Sequence, residues 1–320
     1  MKAIIYTRYG SPDVLQLAEA DKPLPQANQV LIKVHAASAN PVDWHSMRGA
    51  PFMVRMSDGW RHPKDGRIGV DLAGVVEAVG DTVTQFHPGD AVFGRGTGSF
   101  AEYVCARVTS VAPKPAALSF EAAAAVPIAA LTALQGLQDA GQVQTGQQVL
   151  INGASGGVGT FAVQIAKALG AHVTGVSSTG NIELVRSIGA DQVIDYTQAD
   201  FTRSGQHYDV IFDTVGACSI AAYQRALRPQ GIALVVGFSS TPKLLNHMIL
   251  GPMRSRSGKQ QIRMFMAQPN QQHLLRIKEL LEASKVVPVI DRRYPLAETP
   301  EAIRYLEAGH ARGKVVITVL

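Results

Sequence analysis

The sequence runs to 320 residues, of which 46% are hydrophobic and 17% charged, with 30 glycines and prolines scattered along it. A chain this long buries about three quarters of its unfolded surface without a disulfide or metal staple. Its composition excludes a disordered chain, a collagen or a coiled coil. The formal net charge of +5 suits anionic small molecules; apart from the short cluster at 254–259, which reads as a solvated loop, there is no basic tract to single out nucleic acid. Cys105 and Cys218 stand far apart, so neither a disulfide framework nor a cysteine-built zinc finger is available. No apolar leader opens the sequence, and no uncharged apolar run reaches the length of about 18 residues that a membrane span needs. The expectation is a cytoplasmic protein with no membrane span.

Taken in order, the first third reads as β structure. Residues 2–6 and 29–37 alternate with period two, and further apolar runs follow at 70–79, 91–93 and 100–104, punctuated by turn signals such as Gly80-Asp81. Residues 49–68 lack periodicity and read as a long loop. From about 120 the rhythm changes: an Ala-rich helical stretch broken by Pro127, a strand at 148–152, and a helix at 158–170. Strands at 172–176, 192–195, 208–212 and 231–236 then alternate with helices at 181–188 and 219–227, and one more strand fits 261–266. Strands that alternate with helices call for a parallel sheet with right-handed crossovers. The tail resumes the mixed style, with helices at 271–283 and 299–308 and strands at 286–290 and 314–319. The fold class is therefore α/β: a Rossmann doubly wound sheet over 121–267, inserted in a β-rich domain formed by 1–120 and 268–320.

The strongest local signal is Asn152-Gly153-Ala154-Ser155-Gly156-Gly157-Val158-Gly159, between a strand and a helix. Read as G-x-G-x-x-G, its three positions are Ala154, Gly156 and Gly159. Small residues let backbone approach a pyrophosphate, and the helix N-terminus offers free N–H groups and a favourable dipole. An NAD site places an acid at the end of the second strand. Here Ser177, Ser178 and Thr179 stand there, which leaves room and donors for a 2′-phosphate, although no supporting Arg or Lys follows. Tyr196 is placed to pack beside that phosphate. The cofactor expected is NADP(H). Gly237-Phe238 falls at the carboxyl edge of the sheet, where ligands sit.

Several segments together span the chain nearly end to end: Ala39-Asn40-Pro41-Val42-Asp43-Trp44, the run 69–80, Pro88-Gly89-Asp90-Ala91-Val92-Phe93-Gly94, Leu131-Thr132-Ala133, the glycine turn, Gly189-Ala190-Asp191, Asp213-Thr214-Val215-Gly216 and Arg312-Gly313-Lys314-Val315-Val316. In this combination the sequence resembles the zinc-free, quinone-oxidoreductase-like members of the medium-chain dehydrogenase/reductase superfamily. The resemblance implies a GroES-like catalytic domain, a Rossmann domain, a cleft where nicotinamide meets substrate, and a homodimer. Zinc-dependent alcohol dehydrogenases of the superfamily bind catalytic zinc with Cys, His and Cys; the matching positions here are Asn40, Val70 and about Ile128. Valine and isoleucine offer zinc no ligand atom. Without a metal to polarise an alcohol, reduction of an electrophilic acceptor remains: a quinone or the C=C bond of an α,β-unsaturated carbonyl.

On this resemblance Asn40 is an enolate donor or a turn residue before Pro41, and Asp43 is catalytic or a structural cap. Thr132 touches the nicotinamide region or is an ordinary helix hydroxyl. Asp213, Val215 and Gly216 bring backbone near the nicotinamide ribose, and Lys314 contacts cofactor phosphate or substrate, or is exposed. The function expected is NADPH-dependent reduction of quinones or enones by hydride transfer without metal. The alternatives are a zinc-free dehydrogenase or reductase of another carbonyl, and a non-catalytic NADP(H)-binding redox sensor or RNA-binding protein.

Overall fold

The computed structural model describes residues 1–257, 260–268 and 270–320. The chain forms two compact units, one of Met1–Ile128, Pro269–Glu282 and Pro288–Leu320, the other of Ala129–Gln268 and Ala283–Val287.

The first unit opens with β1 (Lys2–Ile5) paired antiparallel to β2 (Gln16–Glu19). Next come β3 (Gln29–Ala39), β4 (Asp71–Val79), β5 (Ala91–Arg95), β6 (Tyr103–Arg107) and β7 (Val111–Pro113). Between β3 and β4 lie two helices the sequence pattern did not reveal, α1 (Pro41–Arg48) and α2 (Val54–Asp58), the second inside the expected long loop. Strand β3 serves two cores. Val30, Ile32 and Val34 pack with Leu72, Val76, Val92 and Val104, whereas Ala37 and Ala39 pack with Ile4, Met47, Phe100 and Ile317. The even-to-odd switch follows from a register irregularity between Val34 and Ala36. An extra residue in one strand reverses which side chains face inward.

The chain leaves this unit at Ile128, later than the expected boundary at 121. The reason is α3 (Phe120–Ala124), which packs on β3, β4 and β5; Ser119 caps it and Phe120 stacks on His35 at 4.2 Å. Pro127 opens α4 (Pro127–Leu134), in the first turn, where a missing N–H costs nothing.

In the second unit six parallel strands run in the order β10 (Gln192–Asp195), β9 (His172–Ser177), β8 (Gln148–Asn152), β11 (Tyr208–Asp213), β12 (Leu227–Val235) and β13 (Gln261–Met264). The central strands β8 and β11 are buried almost throughout, as a sheet covered on both faces requires. The helices are α5 (Gly157–Ala168), α6 (Ile182–Ser187), α7 (Ile220–Ala226) and α8 (Thr241–Ser257). Helix α8 takes in Arg254–Ser257, which the sequence pattern left as a loop; Gly258 and Lys259 lie outside the described residues. Strand order reverses between β8 and β11, so the crevice at their carboxyl ends is the natural ligand position.

The chain returns with α9 (Gln271–Glu282), β14 (Ile290–Pro295), α10 (Thr299–Glu307) and β15 (Lys314–Thr318). Strands β14 and β15 complete the first unit's sheet, in the order β14-β15-β3-β4-β5-β7 with β6 paired to β3. The strand expected at 286–290 begins only at Ile290. The Gln164 side chain takes both the N–H and the C=O of Val287, at 2.8 and 3.0 Å, so that backbone cannot join a ladder.

Close approach of α5 to β8 rests on Gly159, where a Cβ would stand 2.0 Å from the Gly153 carbonyl oxygen. Gly159→Ala is expected to lower unfolding free energy by about 1–3 kcal/mol, the usual cost of overpacking. Gly156→Ala, whose Cβ would meet only that same oxygen at 3.4 Å, is expected to show no such loss. Urea unfolding of the two variants checks this.

Candidate functional site

In the second unit, the turn after β8 is made by Gly153, whose φ of +79° only glycine adopts freely. Ala154 therefore does not turn the chain. It is fully buried, donates its N–H to the Val176 carbonyl at 3.0 Å, and packs toward Gly175, where a Cβ would stand 3.1 Å from the Ala154 Cβ. Gly156 caps α5 in an extended conformation. The N–H groups of Gly157, Val158 and Gly159 occupy the first helical turn, where no intrahelical acceptor exists. Open N–H groups at a helix N-terminus of this kind are suited to an anion such as a phosphate.

Beside this turn, the Asn181 amide nitrogen donates to the hydroxyls of Ser155 at 3.1 Å and Ser178 at 3.2 Å. Because each oxygen accepts from Asn181, each hydroxyl hydrogen points elsewhere and can serve an anion. Asn181 Oδ1 is buried without a partner. These small polar groups, with no carboxylate among them, fit a 2′-phosphate. Ser177 is buried and its hydroxyl turns to the Ser178 carbonyl, so it forms wall and not contact surface. Thr179 departs from expectation: its hydroxyl donates to Asp195 at 2.5 Å, which leaves it no proton for a phosphate. Tyr196 is 62% exposed and its N–H is held by the Ser177 carbonyl at 3.0 Å, close to the cluster.

At the end of β11, Asp213 is wholly buried. It accepts hydrogen bonds from Asn152 Nδ2 at 3.0 Å, the N–H groups of Val215 and Gly216 at 2.7 and 2.8 Å, and the Tyr223 hydroxyl at 2.7 Å. Its carboxylate shapes the 213–216 loop and, being wholly buried, presents no oxygen at the surface. A Cβ on Gly237 would stand 2.0 Å from the Thr214 carbonyl oxygen, so backbone packs on backbone where β11 and β12 end. Val215 is 41% exposed there, and Phe238 is half-buried. Thr132 is buried on α4.

In the first unit, the positions matched to zinc ligands do assemble. Asn40 ends β3, Val70 precedes β4, and the Ile128 N–H donates to Asp71 Oδ1 at 3.0 Å. What they surround is a charge pair. Asp71 and Lys314 are both buried, with Nζ 3.6 Å from Oδ2. Asn40 bridges them, donating from Nδ2 to the Ser38 carbonyl at 3.0 Å and to Asp71 Oδ2 at 2.9 Å, and accepting from Lys314 Nζ at 2.5 Å. Both amide hydrogens are thus taken, which corrects the reading of Asn40 as an enolate donor. Lys314 is corrected likewise: its ammonium is 3% exposed and held by Asn40 and the Ala39 carbonyl, so it does not reach out to a cofactor phosphate. The lysine was missed as a core residue because a lysine at a strand start ordinarily faces water.

Asp43 occupies the third position of α1, and its Oδ2 accepts the Asn40 N–H at 2.7 Å. Its Oδ1 is buried without a partner. Burial, with Asp71 adding to it, pushes the Asp43 carboxyl up to about 8, against the pull of the Asn40 N–H, Lys314 and Arg95. Burial also raises Asp71 and lowers Lys314, each opposed by the other's charge. Since the unfolded Asp43 titrates near 4, the folded state holds this proton between about pH 4 and 8. Its stabilisation is complete below that window and is lost as pH rises through about 8. Asp43→Asn is expected to flatten the decline in urea midpoint between pH 5 and 9. Parallel profiles for the two proteins would place an ionised carboxylate here.

Among the described residues, no group of three or more His, Cys, Asp or Glu is arranged to hold a metal ion, and no helix is long and apolar enough to cross a membrane. Residues 26–116 match the alcohol dehydrogenase GroES-like domain, and residues 188–317 match the zinc-binding dehydrogenase family. The chain is 37% identical to 2-methylene-furan-3-one reductase of Solanum lycopersicum, covering 99% of this chain and 79% of that protein. It is 34% identical to the NADPH-dependent alkenal/one oxidoreductase, chloroplastic, of Arabidopsis thaliana, covering 99% and 79%. The solved quinone oxidoreductase of Coxiella burnetii superposes with a TM-score of 0.89 at 32% identity, over 100% of this chain and 99% of that one. With two family models of the superfamily matched and relatives aligned over 99–100% of the chain, the protein belongs to the quinone-oxidoreductase-like branch of the medium-chain dehydrogenase/reductase superfamily.

Proposed function

We propose that this protein is an NADPH-dependent reductase of quinones or α,β-unsaturated carbonyls that works without a metal. The observation that carries the reading is the Ser155, Ser178 and Asn181 cluster beside the glycine turn: oriented neutral donors stand where an NAD site would place an acid. The names of the relatives, an enone reductase, an alkenal/one oxidoreductase and a quinone oxidoreductase, support the acceptor class.

When bound, NADPH supplies the hydride. The first-turn N–H groups of α5 hold the pyrophosphate, and Ser155 and Ser178 face the 2′-phosphate, with Tyr196 beside it. The backbone of Val215, Gly216, Gly237 and Phe238 flanks the nicotinamide ribose, and Thr132 contacts the nicotinamide, on the family resemblance. Asn40, Asp43 and Lys314 act as positioning residues that fix the end of β3. The same resemblance supports a homodimer, which light scattering in solution checks. Two free cysteines fit a reducing compartment, with the cytoplasm as our reading.

NADPH and NADH consumption against a panel of quinones, alkenals and cyclic enones tests the function. Faster NADPH oxidation with at least one acceptor is expected; tight NADPH binding with no turnover on any would replace the enzyme reading with that of a sensor. Ser178→Asp is expected to move the NADPH/NADH ratio of kcat/KM toward NADH by roughly tenfold or more, since a hydrogen bond to a charged group is worth about 1.5–3 kcal/mol.

A further inference from the structure

A cavity of about 500 Å³ in the first unit is lined by Arg67, Arg95, Arg107, Gln26, Gln29 and Ser110, and by no acidic residue among those described. Arg95 lies directly opposite Asp71 in the β4–β5 ladder. That carboxylate is already engaged by Ser38, Asn40, Ile128 and Lys314. Arg95 Nε is accordingly buried without a hydrogen-bond partner. Arg107 is exposed on β6, and among the described residues nothing pairs with its side chain. Arg67 grips Asp65 through two bonds of 2.8 and 2.7 Å, so it adds field more than open donors. Two arginines whose guanidinium groups have no hydrogen-bond partner thus line one polar cavity, and a guanidinium matches the planar geometry of a carboxylate or phosphate.

The cavity is continuous in its walls with a second one of about 290 Å³, which Asp43 lines: Arg67, Val70 and Thr97 belong to both. Val70 is one of the positions matched to zinc ligands, beside the positioning network. We propose that the arginine-lined cavity binds an anionic group on the acceptor, so that the substrate class is enones or quinones bearing a carboxylate or phosphate. This rests on the reductase reading above.

The test compares a matched pair of acceptors, 4-oxopent-2-enoate and pent-3-en-2-one, in the wild type and in the double variant Arg95→Gln/Arg107→Gln. The ratio of their kcat/KM values cancels both intrinsic reactivity and any general loss of activity. The ratio is expected to fall at least tenfold in the double variant, chiefly through KM, and Arg95→Lys/Arg107→Lys is expected to keep part of it. Added salt is expected to raise the wild-type KM for the carboxylate alone. An unchanged ratio overturns the proposal. Inorganic phosphate in a thermal-unfolding assay separates the other source. If phosphate stabilises the wild type and not the Gln variant while the acceptor ratio is unchanged, the cavity serves a free anion and the acceptor assignment fails. If neither acceptor nor any of the wider panel oxidises NADPH, the reductase reading itself fails.

Discussion

The first unit depends on one buried ion pair. Asp71 at the start of β4 and Lys314 at the start of β15 meet in the interior, both buried, and Asn40 at the end of β3 joins them. These strands are neighbours in the order β15-β3-β4, but one comes from the far end of the chain. Two charges in a low-dielectric interior hold together only when their remaining bonding capacity is met. Here Asp71 accepts from Ser38, Asn40 and the Ile128 N–H, and Lys314 also reaches the Ala39 carbonyl. Removing either partner strands the other, at a cost of about 3–5 kcal/mol. The pair therefore fastens the C-terminal strand to the N-terminal sheet, amid the positions the family resemblance matches to the metal's ligands.

The pair also decides the state of its neighbours. Lys314 is bound to Asp71 and Asn40, and the pull that it and Arg95 exert on the Asp43 carboxyl is outweighed by burial and by the charge of Asp71. Burial is the main reason Asp43 keeps its proton, with the charge of Asp71 adding to it. As a neutral acid it still accepts the Asn40 N–H, and so begins α1 without adding a second buried anion. Asn40 is held on every side, and its role shifts from donor to strut. A residue chosen for its hydrogen-bonding power has used all of it inside the protein.

What the sequence made legible follows from the range of the forces involved. Alternation in β3 and the apolar runs of β8 and β11 report burial that neighbouring residues share, so the strands were readable. The glycine turn was readable because its chemistry is local, although Gly153 and not Ala154 supplies the left-handed turn. The parity switch in β3 was hidden, since nothing in Val34-His35-Ala36 announces an irregular register that the pairing with β4 imposes. Helix α1 begins with an Asn-Pro pair that looks like a turn, and only the Asp43 cap shows otherwise. Lys314 was misread for the same reason as Asn40: its partners lie in other strands, and a single sequence does not say who meets whom.

The second unit uses its acids in a similar way, and this bears on the cofactor. Asp213 receives four hydrogen bonds and freezes the loop after β11, while Asp195 is occupied by the hydroxyls of Thr179 and Thr197. Those bonds to Thr179 and Thr197 hold the Asp195 carboxyl below its usual range, so it stays ionised with its oxygens occupied by those donors. What remains facing the glycine turn is neutral: the Ser155 and Ser178 hydroxyls, oriented by Asn181, and the open N–H groups of α5. An anion-binding surface can thus be built without a single lysine or arginine in the motif. It needs carboxylates that are saturated elsewhere and neutral donors that have been left one hydrogen to give.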